Sequence, residues 1–254
     1  MDRLTSRKNP VIRQLRALGR ERSARAETGL FVGDGEKLLH EAIQCGAVIE
    51  TVLWVEAPAM DVPGAVHQFT APAELVEYVS ALSHSPGPVF TVRMQPKSIP
   101  EALRRAIVLE TVQDPGNVGT VLRTANALGM DAVLLTGNCA DLYSPKTVRS
   151  TMGAIFRMPA LECTLDEMKA LLEQHGLPLY GAALSESARD LRTVALGSAA
   201  VAIGSEGQGL SRELLSLCDG EIIIPMRPES ESLNAAVAAS VVMWEMARTE
   251  GIDE

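Results

Sequence analysis

The sequence predicts an α/β protein that consists of two domains. Short apolar runs of strand length alternate with amphipathic segments of helix length along most of the chain, which is typical of sheets covered by helices. This alternation stops once, at Gln95–Pro100, where two prolines stand in a stretch without apolar periodicity. Apolar residues make up 46% of the chain and aromatic residues only 4%, so the cores must be aliphatic. We therefore expect a smaller α/β domain over residues 1–96 and a larger one over residues 97–254.

The first domain begins with a basic segment. Residues 1–26 contain eight arginines or lysines and two acidic residues, although the whole chain has a net charge of −9. We expect a basic helix over Arg3–Arg20, which is either a solvated face or an arm that follows a nucleic-acid backbone. The remaining expected elements are strands at Phe31–Val32, Thr51–Val55, Val66–Phe69 and Pro88–Met94, and helices at Glu36–Cys45 and Ala73–Leu82.

The second domain is predicted to contain a parallel sheet, because its strand-length runs are apolar throughout and must be covered on both faces. The expected strands are Ala106–Val112, Ala132–Leu135, Leu179–Ala183, Ala199–Ile203 and Glu221–Ile224. The expected helices are Asn117–Leu128, Pro145–Ile155, Leu165–His175, Ser211–Leu217 and Ser232–Thr249. The last helix is apolar nearly all round, which indicates burial in a core or in a subunit interface.

Glycines and small polar residues concentrate at three junctions between a strand and a helix. These junctions are Asp114–Arg123, Ile203–Ser211 and Ile224–Ala239. Ligands of open α/β sheets bind in crevices of this kind. The four cysteines match no metal spacing, and a small hydrophobic thiol in a reducing compartment is their simplest interpretation. The sequence therefore favours a metal-free site that is built largely from backbone and suits an organic cofactor.

Several residues in these junctions are candidates for a binding or catalytic role. Asn117 is expected to cap its helix, and Arg123 to share a helical face with Thr120, although a capped helix with one surface arginine explains both. Glu206 is a carboxylate among three glycines, in the order GxxGxG rather than the dinucleotide-binding GxGxxG. Ser232 is expected to cap the last helix. Asn234, a poor helix former, is expected in its first turn with a side-chain role.

Taken together, the three segments resemble the signature motifs of the SpoU (TrmH-like) branch of the SPOUT methyltransferases. The matching residues are Asn117, Gly119 and Arg123 in the first motif, Gly204–Leu210 in the second, and Ile224–Met226 with Ser232–Asn234 in the third. Ser144–Pro159 is also similar to the family. Ser6–Pro10 and Gly29–Glu36 resemble the L30e-like RNA-binding domain of the ribosomal-RNA members.

This resemblance implies an RNA methyltransferase that transfers a methyl group from S-adenosylmethionine to a ribose 2′-hydroxyl, in 23S rRNA. It also implies a trefoil knot in the C-terminal domain, a homodimer formed through that domain, and cofactor contacts at Gly204, Ile224 and Leu233. The lack of an apolar signal-peptide core, and a longest apolar stretch too short for a bilayer, favour a cytoplasmic protein without a membrane partner.

The implied reaction is an in-line attack on a sulfonium methyl group, which needs no metal because the leaving group is already activated. Arginine stays protonated in proteins, with a pKa above about 12. Arg123 is therefore expected to stabilise the developing alkoxide or to bind a phosphate rather than to act as a base. Glu206 is the candidate proton acceptor. We expect hydrogen bonds from Asn117, Ser232 and Asn234 to orient Arg123, Glu206 or the ribose.

Three other functions are alternatives to this one. A nucleotide-dependent oxidoreductase requires a GxGxxG after the first strand and an acidic residue about twenty positions later, and the sequence has neither. A non-catalytic RNA-binding protein on the same fold predicts loss of the polar motif residues, all of which are present. A tRNA substrate is the alternative within the same class, and the resemblance of the N-terminal domain to the ribosomal members favours rRNA.

Overall fold

The computed structural model describes residues 1–64, 66–81, 85–95, 98–227 and 232–248. The chain forms two compact units: Met1–Gln95 with Asp141–Phe156, and Pro96–Ala140 with Arg157–Glu254. The predicted boundary between residues 96 and 97 lies outside the described residues. The grouping of Asp141–Phe156 with the first unit differs from the expected assignment of all of residues 97–254 to one domain.

Unit 1 contains a five-stranded sheet with the strand order β1-β4-β3-β5-β2. Strand β5 is antiparallel to its neighbours β2 and β3, and the other pairs are parallel. The elements are β1 (Asp2–Arg3), α1 (Pro10–Arg20), α2 (Arg22–Thr28), β2 (Leu30–Asp34), α3 (Glu36–Gln44), β3 (Ile49–Val55), β4 (His67–Ala71), α4 (Ala73–Val79) and β5 (Val89–Arg93).

Helix α1 begins later than predicted. Asn9 caps it by accepting a hydrogen bond from the Val11 amide, and Pro10 occupies the first turn, where a missing N–H is tolerated. The expected helix from Arg3 is therefore wrong over its first seven residues, Arg3 to Asn9. Arg3 belongs instead, with Asp2, to the edge strand β1. The helix docks through buried aliphatic side chains at Ile12, Leu15 and Leu18.

Residues 141–156 join unit 1 through aromatic and ionic contacts. The Phe31 ring lies 5.0 Å from the Tyr143 ring and 6.2 Å from the Phe156 ring. The buried Arg25 guanidinium donates to the Asp141 carboxylate at 2.5 Å. The segment contains α6 (Pro145–Ser150), shorter than the predicted Pro145–Ile155, and then a separate 3-10 turn at residues 154–156.

Unit 2 contains a seven-stranded sheet with the strand order β10-β12-β9-β11-β6-β7-β8, in which every pair is parallel. The helices and strands are α5 (Pro115–Ala127), α7 (Leu165–Gln174), α8 (Arg212–Leu217) and α9 (Ala235–Arg248), with β6 (Arg105–Glu110), β7 (Ala132–Thr136), β8 (Ala160–Glu162), β9 (Leu179–Ala182), β10 (Arg189–Asp190), β11 (Ala199–Ile203) and β12 (Gly220–Ile223). The predicted parallel sheet is present, and all residues of β7 and β11 are buried.

No helix in the described ranges is long and apolar enough to cross a bilayer. The same residues contain no cluster of three or more His, Cys, Asp or Glu side chains that could hold a metal ion. All four cysteines are free and half-buried rather than fully buried. Burial raises the pKa of the Cys163 thiol to about 11 and that of Cys218 to about 12, so these thiols are held in the unreactive protonated form.

Candidate active site

The three predicted junctions follow three strands of the parallel sheet in unit 2. The first junction follows β6, the second follows β11 and the third follows β12. Strand β11 pairs with both β6 and β9, and β9 pairs with β12. Because parallel strands end at the same edge of a sheet, the three junctions lie at one edge, where ligands of such sheets bind.

A cavity of about 520 Å³ opens between the second and third junctions. Its lining includes the three predicted cofactor residues, Gly204, Ile224 and Leu233. Most of the remaining wall consists of glycines, alanines and aliphatic side chains, with Ser205, Glu206, Gln208 and Ser232 as polar members. Such a lining suits an organic molecule with an apolar body that is held by a small number of polar groups.

The loop that begins at Gly204 is closed on itself. The Gly209 amide donates to the Ser205 carbonyl at 2.9 Å, and the Gln208 amide donates to the Ser205 hydroxyl at 3.3 Å. A Cβ atom at Gly204 would lie only 2.1 Å from the Gly209 carbonyl carbon. The close approach of these two backbone segments therefore requires glycine at position 204.

Three of the five predicted catalytic residues form one hydrogen-bonded chain. The Asn117 amide group donates to the Glu206 carboxylate, and the Asn234 amide group donates to the Asn117 side-chain oxygen at 3.1 Å. These residues come one from each junction, so their side chains connect loops that are far apart in sequence. This arrangement places a carboxylate and two amides beside the cavity that Glu206 lines.

Two helix caps differ from the prediction. Asp114, not Asn117, caps α5, because its carboxylate accepts from the amides of Gly116 and Asn117 and Pro115 occupies the first turn. Asn234, not Ser232, caps α9.

The Asn234 side-chain oxygen accepts from the amides of Ala236 and Val237, so α9 begins at Ala235 rather than at residue 232. Its predicted last residue, Thr249, is outside the part of the chain that the structure describes.

Arg123 and Ser232 do not join this chain of hydrogen bonds. Arg123 is exposed on α5, and it has no hydrogen-bond or ion-pair partner among the residues described. Ser232 is exposed and lines the cavity, and within the described ranges its hydroxyl makes no hydrogen bond to the other candidate residues. The Arg123 guanidinium is therefore free to bind an anionic ligand.

Sequence reasoning missed Glu110, the last residue of β6. Its side chain is buried, and its carboxylate accepts from the Ser211 amide at 2.7 Å and from the Ser211 hydroxyl at 2.6 Å. Ser211 in turn caps α8, directly after the glycine loop. An acidic residue at the end of the apolar run RAIVLE was the available signal, since buried carboxylates are nearly always hydrogen-bonded.

A second groove of about 420 Å³ lies between α5 and α9. Its lining includes Val237, Val241 and Trp244, which are spaced four and three residues apart and therefore form a stripe along α9. Their exposed fractions are 49%, 37% and 58%. The prediction that this helix is apolar all round is thus refined, because one face packs in the core and another presents large apolar side chains.

Comparisons with known proteins agree with this architecture. Residues 104–244 match the SpoU rRNA Methylase family, and residues 9–83 match the MRM3-like substrate binding domain. A tRNA/rRNA methyltransferase of Synechocystis sp., named as uncharacterized, is 34% identical over 97% of this chain and 94% of its own. The 23S rRNA (guanosine(2553)-2′-O)-methyltransferase RlmP of Bacillus subtilis is 29% identical over 97% of this chain and 99% of its own.

Solved structures of similar proteins cover both units. The AdoMet-bound rRNA methyltransferase of Sinorhizobium meliloti superposes with a TM-score of 0.87 at 25% identity, covering 98% of each chain. The SpoU methyltransferase AviRb of Streptomyces viridochromogenes superposes with a TM-score of 0.86 at 27% identity, covering 95% of this chain and 97% of its own. The predicted α/β fold and the predicted use of S-adenosylmethionine are confirmed. This chain belongs to the SpoU rRNA methylase family and is a methyltransferase, as its three motifs predicted.

Proposed function

We propose that this methyltransferase acts on a ribose 2′-hydroxyl of 23S rRNA, with the cavity at the sheet edge as its donor site. The observation that carries the proposal is the convergence of three strand ends on a glycine-lined cavity beside the Asn117–Glu206–Asn234 chain of hydrogen bonds. The similarity to RlmP, whose name gives a 2′-O position in 23S rRNA, supports this choice of substrate.

The residues present fit S-adenosylmethionine. The missing side chain of Gly204 lets the loop close against the Gly209 backbone at the cavity wall, and Ile224 and Leu233 offer apolar contacts on the opposite loop. When bound, S-adenosylmethionine supplies a methyl group on a positively charged sulfur. This sulfur is already a good leaving group and needs no further activation. The work left to the protein is to align the ribose oxygen with that methyl group and to help the hydroxyl lose its proton.

Glu206 is our candidate for the proton acceptor. It is the carboxylate that lines the cavity, and the hydrogen bond from Asn117 fixes its orientation. Asn234 holds the Asn117 amide from the other side, so it acts on Glu206 through Asn117. We assign Ser232, on the cavity wall, to a contact with the ribose or the donor.

Arg123 is our candidate for electrostatic stabilisation. A guanidinium stays protonated at neutral pH and cannot accept a proton from the ribose. Its exposed position on α5 and its free donor groups suit a bidentate contact with an RNA phosphate, or stabilisation of the alkoxide as it forms. In both roles the planar fork matters as well as the charge.

We further propose that two copies of the chain pair through α9. The stripe of Val237, Val241 and Trp244 exposes large apolar side chains that a second copy would cover, and a self-complementary surface of this kind is usual in symmetric dimers. Sedimentation at micromolar concentration should detect a dimer, and Trp244→Glu should dissociate it. A wild-type monomer would contradict this part of the proposal.

Residues 1–96 are proposed to bind the RNA substrate and residues 97–254 to carry catalysis, in the cytoplasm. The match of residues 9–83 to a substrate-binding domain supports the first role, and the position of the cavity supports the second.

The decisive experiment incubates the protein with labelled S-adenosylmethionine and 23S rRNA, with tRNA in a parallel reaction, and maps the linkages that resist alkali. A ribose methyl group blocks alkaline cleavage at its nucleotide, whereas a base methyl group does not. Label in alkali-resistant dinucleotides of 23S rRNA supports the proposal, and label in tRNA alone or in bases contradicts it. Activity retained in Glu206→Gln would exclude Glu206 as the base, and near-normal turnover in Arg123→Lys would exclude a bidentate role.

A further inference from the structure

The structure shows which cations of the basic N-terminal segment remain available to a ligand. Arg25 is buried and paired with Asp141, and Arg3 is paired with Glu56 at 2.5 Å. Arg22 also has an interaction partner. Two of the eight cations are thus neutralised by ion pairs and a third has a partner, so the net charge of the segment overstates what it can offer to RNA.

Three of the remaining arginines lie on one face of α1. Arg13, Arg16 and Arg20 are spaced three and four residues apart, which places them side by side along the helix. The helix rises about 1.5 Å per residue, so this row extends over about 10 Å. The neighbouring face carries the buried Ile12, Leu15 and Leu18, which fixes the helix on the core and holds the row in place.

Tyr78, which lies in α4, orients two guanidinium groups, one of which belongs to this row. The guanidinium carbons of Arg7 and Arg16 lie over the Tyr78 ring, 4.3 Å and 3.7 Å from its centroid. Arg16 also donates to the Tyr78 carbonyl at 2.6 Å. Stacking restricts the guanidinium plane but leaves N–H donors at its edge, so the cations are held in position without being neutralised.

Three of these arginines form no ion pair within the part of the chain that the structure describes. Arg7, Arg13 and Arg20 make no ion pair with a described residue. Cations that are held close together repel one another, and a ligand with a row of negative charges relieves this repulsion. A nucleic-acid strand has such a row, and guanidinium groups match phosphate in a bidentate geometry.

We propose that Arg7, Arg13, Arg16 and Arg20, with Tyr78, form a docking surface for the phosphate backbone of the RNA substrate; we call it the arginine face. This inference rests on the proposed function, because it assumes that the substrate is RNA. Backbone contacts position a nucleic acid without reading its sequence. The arginine face therefore contributes affinity and orientation, and it takes no part in methyl transfer.

The test compares two double variants that remove the same charge from unit 1. Arg13→Gln/Arg20→Gln removes two unpaired arginines of the face. The control, Arg3→Gln/Arg93→Gln, removes two arginines that are ion-paired, with Glu56 and Glu50. For both variants and the wild type, KM and kcat for an rRNA transcript and the salt dependence of transcript binding are measured.

We expect the face variant to raise KM for RNA several-fold, to leave kcat unchanged and to leave S-adenosylmethionine binding unchanged. Each lost phosphate contact should reduce the slope of log K against log salt by about 0.7 to 0.9, so the double variant should reduce it by about 1.4 to 1.8. The control should change both quantities much less. Equal behaviour of the two variants, or a wild-type slope in the face variant, overturns the proposal.

Transcript binding separates this inference from the proposed function. If the wild type methylates no RNA, the proposed function fails, and the binding measurement still decides whether the arginine face docks RNA. Binding of the wild type and both variants to vesicles of anionic and of zwitterionic lipid is measured in parallel. A face variant that loses binding to anionic vesicles but not to RNA would contradict the proposal, because its arginines would then serve a membrane surface.

Discussion

The substitution Gly204→Ala tests whether the glycine loop is the cradle of the methyl donor. A Cβ atom at this position would lie 2.1 Å from the Gly209 carbonyl carbon, 2.2 Å from its oxygen and 2.5 Å from the Leu210 nitrogen. All three are backbone atoms, and the hydrogen bond from the Gly209 amide to the Ser205 carbonyl holds them in place. The loop must therefore open to admit one methyl group.

The cost of overpacking a well-packed site is about 1–3 kcal/mol. If the donor binds only to the closed loop, closing the loop of the variant costs this free energy and weakens donor binding by the same amount. The dissociation constant for S-adenosylmethionine should then rise about 5- to 140-fold, at about 1.4 kcal/mol for each factor of ten. Titration calorimetry measures this change, and denaturant unfolding measures how much of the cost appears as lost stability instead.

Gly207→Ala is the matched control, because it adds the same methyl group to the same loop. No heavy atom lies within 4 Å of a Cβ built at Gly207, and its backbone is not left-handed. We expect donor binding in this variant to stay within about 0.5 kcal/mol of the wild type, as for surface substitutions in general. Equal donor affinity in the two variants would refute the assignment of this loop as the cradle.

Three further substitutions test the surroundings of the site and the first unit. Asn117→Ala should reduce kcat by about 10- to 150-fold, since a hydrogen bond to a charged group contributes about 1.5–3 kcal/mol, while Asn126→Ala on the same helix should have little effect in the methylation assay. Glu110→Ala should lower the free energy of unfolding, measured in denaturant, by about 1–3 kcal/mol, because Ser211 loses both acceptor atoms. A smaller decrease would contradict a stabilising role of the Glu110 carboxylate. Asp141→Ala should lower the free energy of unfolding by about 3–5 kcal/mol, because it leaves the buried Arg25 without its ion-pair partner. An unchanged unfolding midpoint would contradict a stabilising role of this pair.

The caps show what local sequence can and cannot decide. Asp114 and Asn117 are both good capping residues within one turn, and Asn117 was the expected cap. Pro115 was the available signal, because proline is favoured in the first turn, directly after the cap. At the start of α9 the sequence offers no such signal, because Ser232 and Asn234 are both good capping residues. Asn234 is the cap in the structure, and its side chain also contacts Asn117 of the first junction.

The long strands of unit 2 were predictable because they are apolar on both faces, whereas the shortest strands were not. Strands β1 and β10 have two residues each and β8 has three, which is too short for any periodicity to show. Each is defined by pairing with a strand that is distant in sequence. The placement of Asp141–Phe156 with unit 1 is unpredictable for the same reason, because it depends on contacts with Phe31 and Arg25.

Two different roles are expected for Asn117: the motif resemblance implies an orienting role, and the turn chemistry predicts a helix cap. Asp114 caps α5 instead and satisfies the amides at its start, which leaves the Asn117 side chain available for other contacts. That side chain then spans 89 residues of sequence to Glu206 and 117 residues to Asn234. An asparagine suits this position because its amide donates on one side and accepts on the other, which aspartate at neutral pH cannot do. One amide thus joins the loops that follow three different strands, and the same bonds that shape the cavity also orient the carboxylate beside it.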